Sequence, residues 1–213
     1  VSQELGLGLT HVWGSYKSYL FKTVTELGAR QTVSRLSSNH SETGRVEESQ
    51  LRMTWSLDND RVARDPSRLS LTLTAGEYTR LGGSEAFNVE TGGYGKLNLT
   101  GRLQRNISRD GFWYWVGRFN AQATSRNLDG YNRLALGGVN GVRAYTAADG
   151  SGDQGVVGTL ELNRRFSARQ TMGVFYDAGV VQPNKVHVNG GFNTIYRLQA
   201  VGEHACGHGE PAC

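Results

Sequence analysis

Cysteine is almost absent from this chain of 213 residues. Its two cysteines, Cys206 and Cys213, both lie at the C-terminal end. Because no thiol precedes them, the body of the chain needs neither a disulfide nor a thiolate metal site. The end of the chain also contains His204 and His208, but the four residues do not have the spacing of a known zinc finger. We therefore predict no metal site.

Long apolar stretches are lacking as well. Only 38% of the residues are apolar, and no run reaches the roughly 18 apolar residues that a membrane-spanning helix requires. This excludes a helical membrane protein. A transmembrane β-barrel stays open, because its strands place only every second residue against lipid and so keep the average hydropathy polar.

Motifs of common enzymes and nucleotide-binding proteins are missing too. The sequence contains no GxSxG, HExxH or GxxxxGK[ST] string, and its five histidines are scattered. We therefore expect no enzyme, no catalytic residue and no cofactor. The 23 lysines and arginines are spread among 19 acidic residues, which gives a net charge of +4 without basic runs. This distribution argues against a nucleic-acid partner.

What the chain does contain is a succession of segments in which apolar and polar residues alternate. In the segment 68–78, Leu69, Leu71 and Leu73 fall on one face, while Ser70 and Thr72 between them fall on the other. This two-residue period is typical of a β-strand. No convincing helical pattern is found. The nine predicted strands are 4–13, 20–33, 50–57, 68–78, 96–104, 112–123, 155–166, 171–181 and 194–201.

The predicted connections alternate between short and long, as the periplasmic turns and extracellular loops of an outer-membrane barrel do. A soluble β-sandwich also has short, regularly spaced strands. However, the polar faces carry charged residues that fit a wet lumen better than a dry core. These residues are Arg102, Arg118, Glu161 and Arg165. The short links are at 14, 58–67, 106–111 and 167–169, and the long ones at 36–48, 79–93, 125–154 and 182–193.

A glycine-rich loop and a later strand carry the most specific signals. The loop 126–154 contains GGVNGVRAY and GSGDQG, and the second strand after it contains FYDAG. Around that motif, the apolar set starts at Met172 and continues at every second residue. Phe175, Asp177 and Gly179 therefore point to the opposite face. We expect Asp177 to face the lumen.

These motifs resemble the C-terminal barrel domain of the outer-membrane transporters of two-partner secretion, the haemolysin secretion/activation proteins of TpsB type. The loop is similar to their long sixth extracellular loop and its Val-Arg-Gly-Tyr tetrad. The four positions here are Val142, Arg143, Ala144 and Tyr145. The FYDAG segment is similar to their Phe-x-Asp-x-Gly motif. Ala144 departs from the family's glycine, so we expect either an ordinary backbone or local strain at this position.

The resemblance implies an all-β fold, an antiparallel transmembrane β-barrel of sixteen strands whose long loop folds into the lumen. It implies that Arg143 at the loop tip pairs with Asp177 on the inner wall. Four further residues would complete this loop–wall lock: Val142, Tyr145, Phe175 and Gly179. Six would turn the loop back: Gly137, Gly138, Gly141, Gly152, Asp153 and Gly155.

The strand pattern accounts for about eight or nine of the sixteen strands of such a barrel. We therefore expect an incomplete barrel, in which residues 1–203 belong to the C-terminal transmembrane domain and 204–213 form an atypical tail. The implied function is an outer-membrane translocation pore in a bacterium. It would secrete a large partner exoprotein, unfolded during transit, and would be a monomeric pore surrounded by lipid. A passive porin or adhesin barrel is the alternative, because it shares the alternation.

Overall fold

The structure is built from nine long strands in one antiparallel sheet. The computed structural model describes residues 2–35, 42–59, 65–83, 91–167, 170–186 and 195–206. The nine long strands are β1 (Ser2–Tyr16), β2 (Tyr19–Arg35), β3 (Glu42–Asp58), β4 (Ser67–Gly83), β5 (Gly92–Asn106), β6 (Trp113–Thr124), β9 (Gln154–Ser167), β10 (Gln170–Gln182) and β11 (Tyr196–Cys206). Two short strands, β7 (Leu134–Ala135) and β8 (Ser151–Gly152), and a 3₁₀ helix (Ala147–Asp149) lie in the connection between β6 and β9.

The nine long strands follow one another in the sheet in chain order. Each pairs with its neighbours in antiparallel register, and β6 pairs directly with β9. The nine-strand prediction is therefore confirmed. Within the described residues, β1 pairs only with β2 and β11 only with β10, so the sheet is open. Among the same residues, no helix is long and apolar enough to cross a membrane.

The outer face of the sheet carries a continuous apolar row. Register pairs Trp55 with Leu71, Leu71 with Leu99, and Leu99 with Ala121. The large members of this face are exposed although they are apolar, for example Leu73 with 46% of its surface accessible. A soluble protein rarely exposes such a contiguous apolar surface, whereas a sheet that faces lipid requires it.

The apolar band ends sharply on the side of the sheet from which the long loop leaves. On β4 the outward positions change from Leu73 and Ala75 to Glu77 and Thr79. On the neighbouring strands, Gln31 donates a hydrogen bond to Glu47 over 2.7 Å at the same level of the outer face. The strands therefore continue past the apolar band as polar sheet.

The inner face is mostly polar, and the loop covers its apolar parts. Thr54, Thr72, Asn98 and Gln122 form a polar row across four strands. Two buried apolar clusters lie under the loop. One contains Val46, Tyr78, Tyr94 and Leu128, and the other contains Leu134, Leu136, Val142, Val157 and Val181. The core therefore lies between the loop and the wall, which fixes the loop inside the curved sheet.

The strand bounds differ from the prediction at the loop-bearing end. We predicted links at 36–48 and 79–93, but β3 begins at Glu42 and β4 ends at Gly83. The predicted alternation of short and long links is accordingly wrong there, since β3 and β4 are joined by 59–66 while β2 and β3 are joined by 36–41. Backbone pairing between Gly44 and Gly83 extends the sheet into polar sequence, which a search for apolar alternation does not detect.

Candidate functional site

The connection between β6 and β9 is a folded hairpin. Its neck is the pairing of β7 with β8, in which Leu134 is opposite Gly152. Beyond the neck, the backbone NH of Leu136 donates to the carbonyl of Gly150 over 2.9 Å, and that of Gly138 donates to Tyr145 over 2.8 Å. We call residues 136–150 the tip hairpin. Its backbone-to-backbone hydrogen bonds are internal, so it can keep its shape apart from the wall.

Arg143 at the far end of the tip hairpin contacts Asp177 on β10. Its Nε donates to Asp177 Oδ2 and its Nη2 donates to Oδ1, both over 2.9 Å. The backbone NH of Arg143 donates to Oδ2 over 3.1 Å. The planar guanidinium thus binds both carboxylate oxygens at once, which is the strongest geometry available to this pair.

The surroundings of this contact are dry on the wall side and wetter on the loop side. Asp177 is fully buried, whereas 27% of the Arg143 side chain is exposed. The Arg143 guanidinium lies 3.6 Å from the ring centroid of Phe175, which adds a cation–π contact. The hydrogen bond to Asp177 raises the pKa of Arg143 despite the opposing effect of burial. The arginine therefore remains charged in this site.

Apolar contacts hold the tip hairpin beside the ion pair. Val142 and Leu136 are fully buried in the cluster that includes Val157 and Val181 of the wall. Gly179 leaves the space that this packing needs, because a Cβ there would lie 2.6 Å from Leu136 Cδ1. Tyr145 contributes its backbone to the hairpin, and its side chain is 37% exposed.

The predicted turn residues occupy several different places. Gly138 has φ of +91°, a conformation that favours glycine, so it makes the reversal at the tip. Gly137 and Gly141 lie beside it in the tip hairpin, and Gly152 lies in the neck. We expect Gly155 both in the turn and at the start of the strand 155–166, and the structure places it in β9. Glycine content alone does not distinguish a turn from a strand at which another segment packs closely.

Asp153 joins the two ends of the loop. Its carboxylate accepts hydrogen bonds from the backbone NH of Leu128 over 3.0 Å and of Lys185 over 2.9 Å. Arg133 Nε lies 3.3 Å from the same carboxylate. Burial raises the pKa of Asp153, against the effect of these donors. Asp153 therefore fastens the loop near its neck and does not contact Arg143.

Ala144, where the resemblance leads to the expectation of glycine, shows no backbone strain. Among the described residues, Lys17 alone combines a side chain with a positive φ, at 56°. Ala144 therefore keeps an ordinary backbone conformation. Of the two expectations for this position, the structure supports an ordinary backbone rather than local strain.

Sequence reasoning missed a second carboxylate at the tip. Glu161 on β9 accepts Arg143 Nη1 over 2.9 Å, and it also lies 3.3 Å from Arg118 Nη2. Its register partner on β10 is Phe175. A usable signal existed, because the alternation already placed Glu161 on the polar face of the strand beside the FYDAG segment.

A second polar cluster, also missed, lies where the loop leaves β6. We call Arg30, Glu48, Asp129 and Asn132 the base cluster. Arg30 Nη2 donates to Asp129 Oδ2 over 2.8 Å and also to Glu48. The side-chain nitrogen of Asn132 lies 2.8 Å from Glu48 Oε1 and 2.9 Å from Asp129 Oδ1. Burial raises the pKa of Asp129, and the nearby guanidinium opposes this shift.

Sixteen chains of solved structures match this one. CdiB from Escherichia coli is similar with a TM-score of 0.71 and 17% sequence identity, over 97% of this chain and 39% of the CdiB chain. This likeness confirms the predicted fold, an antiparallel transmembrane β-barrel that is incomplete here. This chain spans well under half of the CdiB chain. No curated protein matches it.

A family model covers most of the sequence. The model for the haemolysin secretion/activation protein ShlB/FhaC/HecB matches residues 2–195. This range includes every long strand up to β10 and the whole loop with both of its wall contacts. The chain therefore belongs to the haemolysin secretion/activation protein family ShlB/FhaC/HecB.

Proposed function

We propose that this chain is part of an outer-membrane translocation pore that secretes a large partner exoprotein to the cell surface. The observation that carries the proposal is the position of Arg143, which reaches from the loop to two carboxylates on the inner wall, Asp177 and Glu161. Family membership agrees with this reading. Because the chain spans 39% of CdiB, the proposal concerns the whole transporter.

The protein lies in the bacterial outer membrane. Its family is one of outer-membrane β-barrel transporters, and its outer face is apolar and exposed as lipid contact requires. Closure of the barrel through the remaining strands would leave no free edge in the hydrocarbon layer. We infer a pore formed by a single full-length chain, with lipid on its outer face.

In this proposal the Arg143 contact is a lock between loop and wall. The contact can open without breaking the sheet, since β9 and β10 remain joined by their own backbone pairing. When it opens, the tip hairpin leaves the wall and the lumen gains free cross-section. The exposure of Arg143 to water lowers the cost of this opening relative to a fully buried pair.

The lumen is suited to passage rather than to chemistry. Its open part carries hydroxyl and amide side chains, such as Thr54, Thr72 and Asn98, and these form weak, exchangeable contacts with any polypeptide backbone. The family is a class of transporters. We therefore propose no bond-making or bond-breaking step, and the exoprotein crosses as an unfolded chain.

Charge exchange at the lock tests this function. Arg143→Glu would place a carboxylate against Asp177 and Glu161, so we expect surface delivery of the exoprotein to fall strongly. Asp177→Arg should have a similar effect. The double exchange should restore part of the secretion. The arginine would then lie on β10, where it faces the carboxylate introduced into the loop and also Glu161. The measurement is the amount of exoprotein at the cell surface.

An ion pair within the wall, with no described bond to the loop, supplies the control. Arg52 Nη1 on β3 lies 3.4 Å from Glu26 Oε2 on β2, and the two side chains are 35% and 42% exposed. Arg52→Glu should leave secretion near the wild-type level. Each variant is compared at equal amounts of folded protein in the outer membrane. Full secretion by Arg143→Glu would contradict the proposed lock.

A further inference from the structure

The two attachments of the loop lie on different parts of the wall. Arg143 meets β9 and β10, whereas the base cluster meets β2 and β3. The base cluster also reaches β4 and β5, since Asn132 lies 2.9 Å from the hydroxyl of Tyr78 and accepts from Lys96 Nζ over 2.8 Å. The loop thus spans the lumen from one part of the sheet to another.

The side chains of the base cluster are less exposed to water than the side chain of Arg143 at the other attachment. The side chains of Arg30, Glu48 and Asp129 are 9%, 1% and 5% exposed, against 27% for Arg143. Tyr78 and Tyr94 stack beside the cluster with ring centroids 4.6 Å apart, and the Tyr94 hydroxyl donates to Glu48. Buried charges that lose a partner cost more than exposed ones. The base should therefore open less readily than the tip.

The neck separates the two attachments mechanically. Pairing of Leu134 with Gly152 joins the two arms of the loop between the base cluster and the tip hairpin. On the base side of this neck, Asp153 holds the backbone of Leu128 and Lys185. On the other side, the tip hairpin is closed by its own backbone bonds. Movement of one part therefore does not require movement of the other.

We propose that Arg30, Asp129 and Asn132 are positioning residues that keep the base of the loop attached while the Arg143 contact opens. The part that leaves the wall is then the tip hairpin, residues 136–150, and the base stays in place as its pivot. The link between this movement and secretion rests on the proposed function. The two-point attachment itself does not.

Two spin-label distances in the full-length transporter test this inference. The base distance joins labels at Gly130, where a side chain meets open space, and at Leu81 on the outer face. The tip distance joins labels at Val139, which is 82% exposed, and at Leu160. The background carries serine in place of both native cysteines. Pulsed electron paramagnetic resonance measures the width of each distance distribution.

We expect Asp177→Asn to broaden the tip distance and to leave the base distance narrow. Arg30→Gln should broaden the base distance. Arg30→Lys should keep it narrow, because both hydrogen bonds from Arg30 to carboxylates use the single nitrogen Nη2 and an ammonium group can replace a point contact. Asp129→Asn is a second variant of the base cluster, and its base distance is measured if Arg30→Gln does not insert into the outer membrane. Arg52→Gln, the wall control, should change neither distance.

Three results would overturn the inference. Asp177→Asn could broaden both distances together, which would mean that the loop moves as one body. Either base variant could leave the base distance unchanged, or Arg52→Gln could broaden it as much as they do. Surface delivery of the exoprotein is measured in parallel. A transporter that shows the expected distances but delivers no partner would refute the pore and leave the two-point attachment standing.

Discussion

Arg143 binds Asp177 through both carboxylate oxygens and still reaches Glu161 with its third nitrogen. Only a guanidinium can do this, because its donors lie in one plane and diverge from each other. The ring of Phe175 lies against the guanidinium and restricts its orientation. The site therefore depends on the shape of the cation as well as on its charge.

Arg143→Lys separates shape from charge. The ammonium keeps the positive charge but cannot hold two carboxylates in fixed geometry, so we expect a looser contact. The loss should be about 1.5–3 kcal/mol, the value for one hydrogen bond to a charged group, since Arg143 is partly exposed. Single-channel recordings would show it as more frequent opening of the full-length pore. Unchanged gating would mean that charge alone maintains the contact.

Single residues could be predicted from the sequence when their environment is local. The face on which Asp177 lies follows from the alternation around it, and Arg143 follows from the resemblance of its loop. Arg30 and Asp129 could not be paired in this way. They are separated by 99 positions, and their meeting depends on the curvature of the sheet and on the path of the loop, neither of which leaves a periodic signal.

At the scale of elements, the tip hairpin packs closely against β10 because position 179 is a glycine. Gly179 faces Leu136, and the nearest atoms leave no room for a methyl group. The opposite holds on the outer face of β9, where a Cβ at Gly158 would meet nothing closer than 3.5 Å. The two glycines are therefore a matched pair, one necessary for loop packing and one not.

Gly179→Ala should loosen the tip hairpin without unfolding the sheet. Overpacking of this kind costs about 1–3 kcal/mol, and here the loop can yield while the wall keeps its backbone pairing. We expect faster trypsin cleavage after Arg143 on intact cells, measured by mass spectrometry of the released peptides. Gly158→Ala should be cleaved at the wild-type rate. Equal rates for both variants would argue against close packing at Gly179.

The nine strands could be predicted from alternation, but their ends could not. Alternation is interrupted where the outer face becomes polar, as it does on β3 before Leu51 and on β4 at Glu77 and Thr79. Backbone pairing continues there regardless of side-chain polarity. Gly155 is an exception, because the predicted strand 155–166 begins there and its partners Gln122 and Val181 place it in β9.

For the whole molecule, removal of the tip hairpin distinguishes a gated pore from a passive one. Leu136 and Gly150 are hydrogen-bonded to each other, so residues 137–149 can be replaced by two glycines without moving the neck or the base cluster. We expect the full-length transporter with this deletion to stay in a high-conductance state. A passive porin or adhesin barrel would show little change in gating. Planar-bilayer recordings give the answer.

The polar sheet beyond the apolar band has a consequence for recognition from outside the cell. Strands β2, β3 and β4 have 17 residues each, which at about 3.3 Å per residue is roughly 55 Å, or about 40 Å in height after a tilt near 40°. The apolar band needs about 25 Å of this. In the proposed pore the remainder stands above the lipid as paired strands, so an antibody directed against it would recognise a conformational epitope.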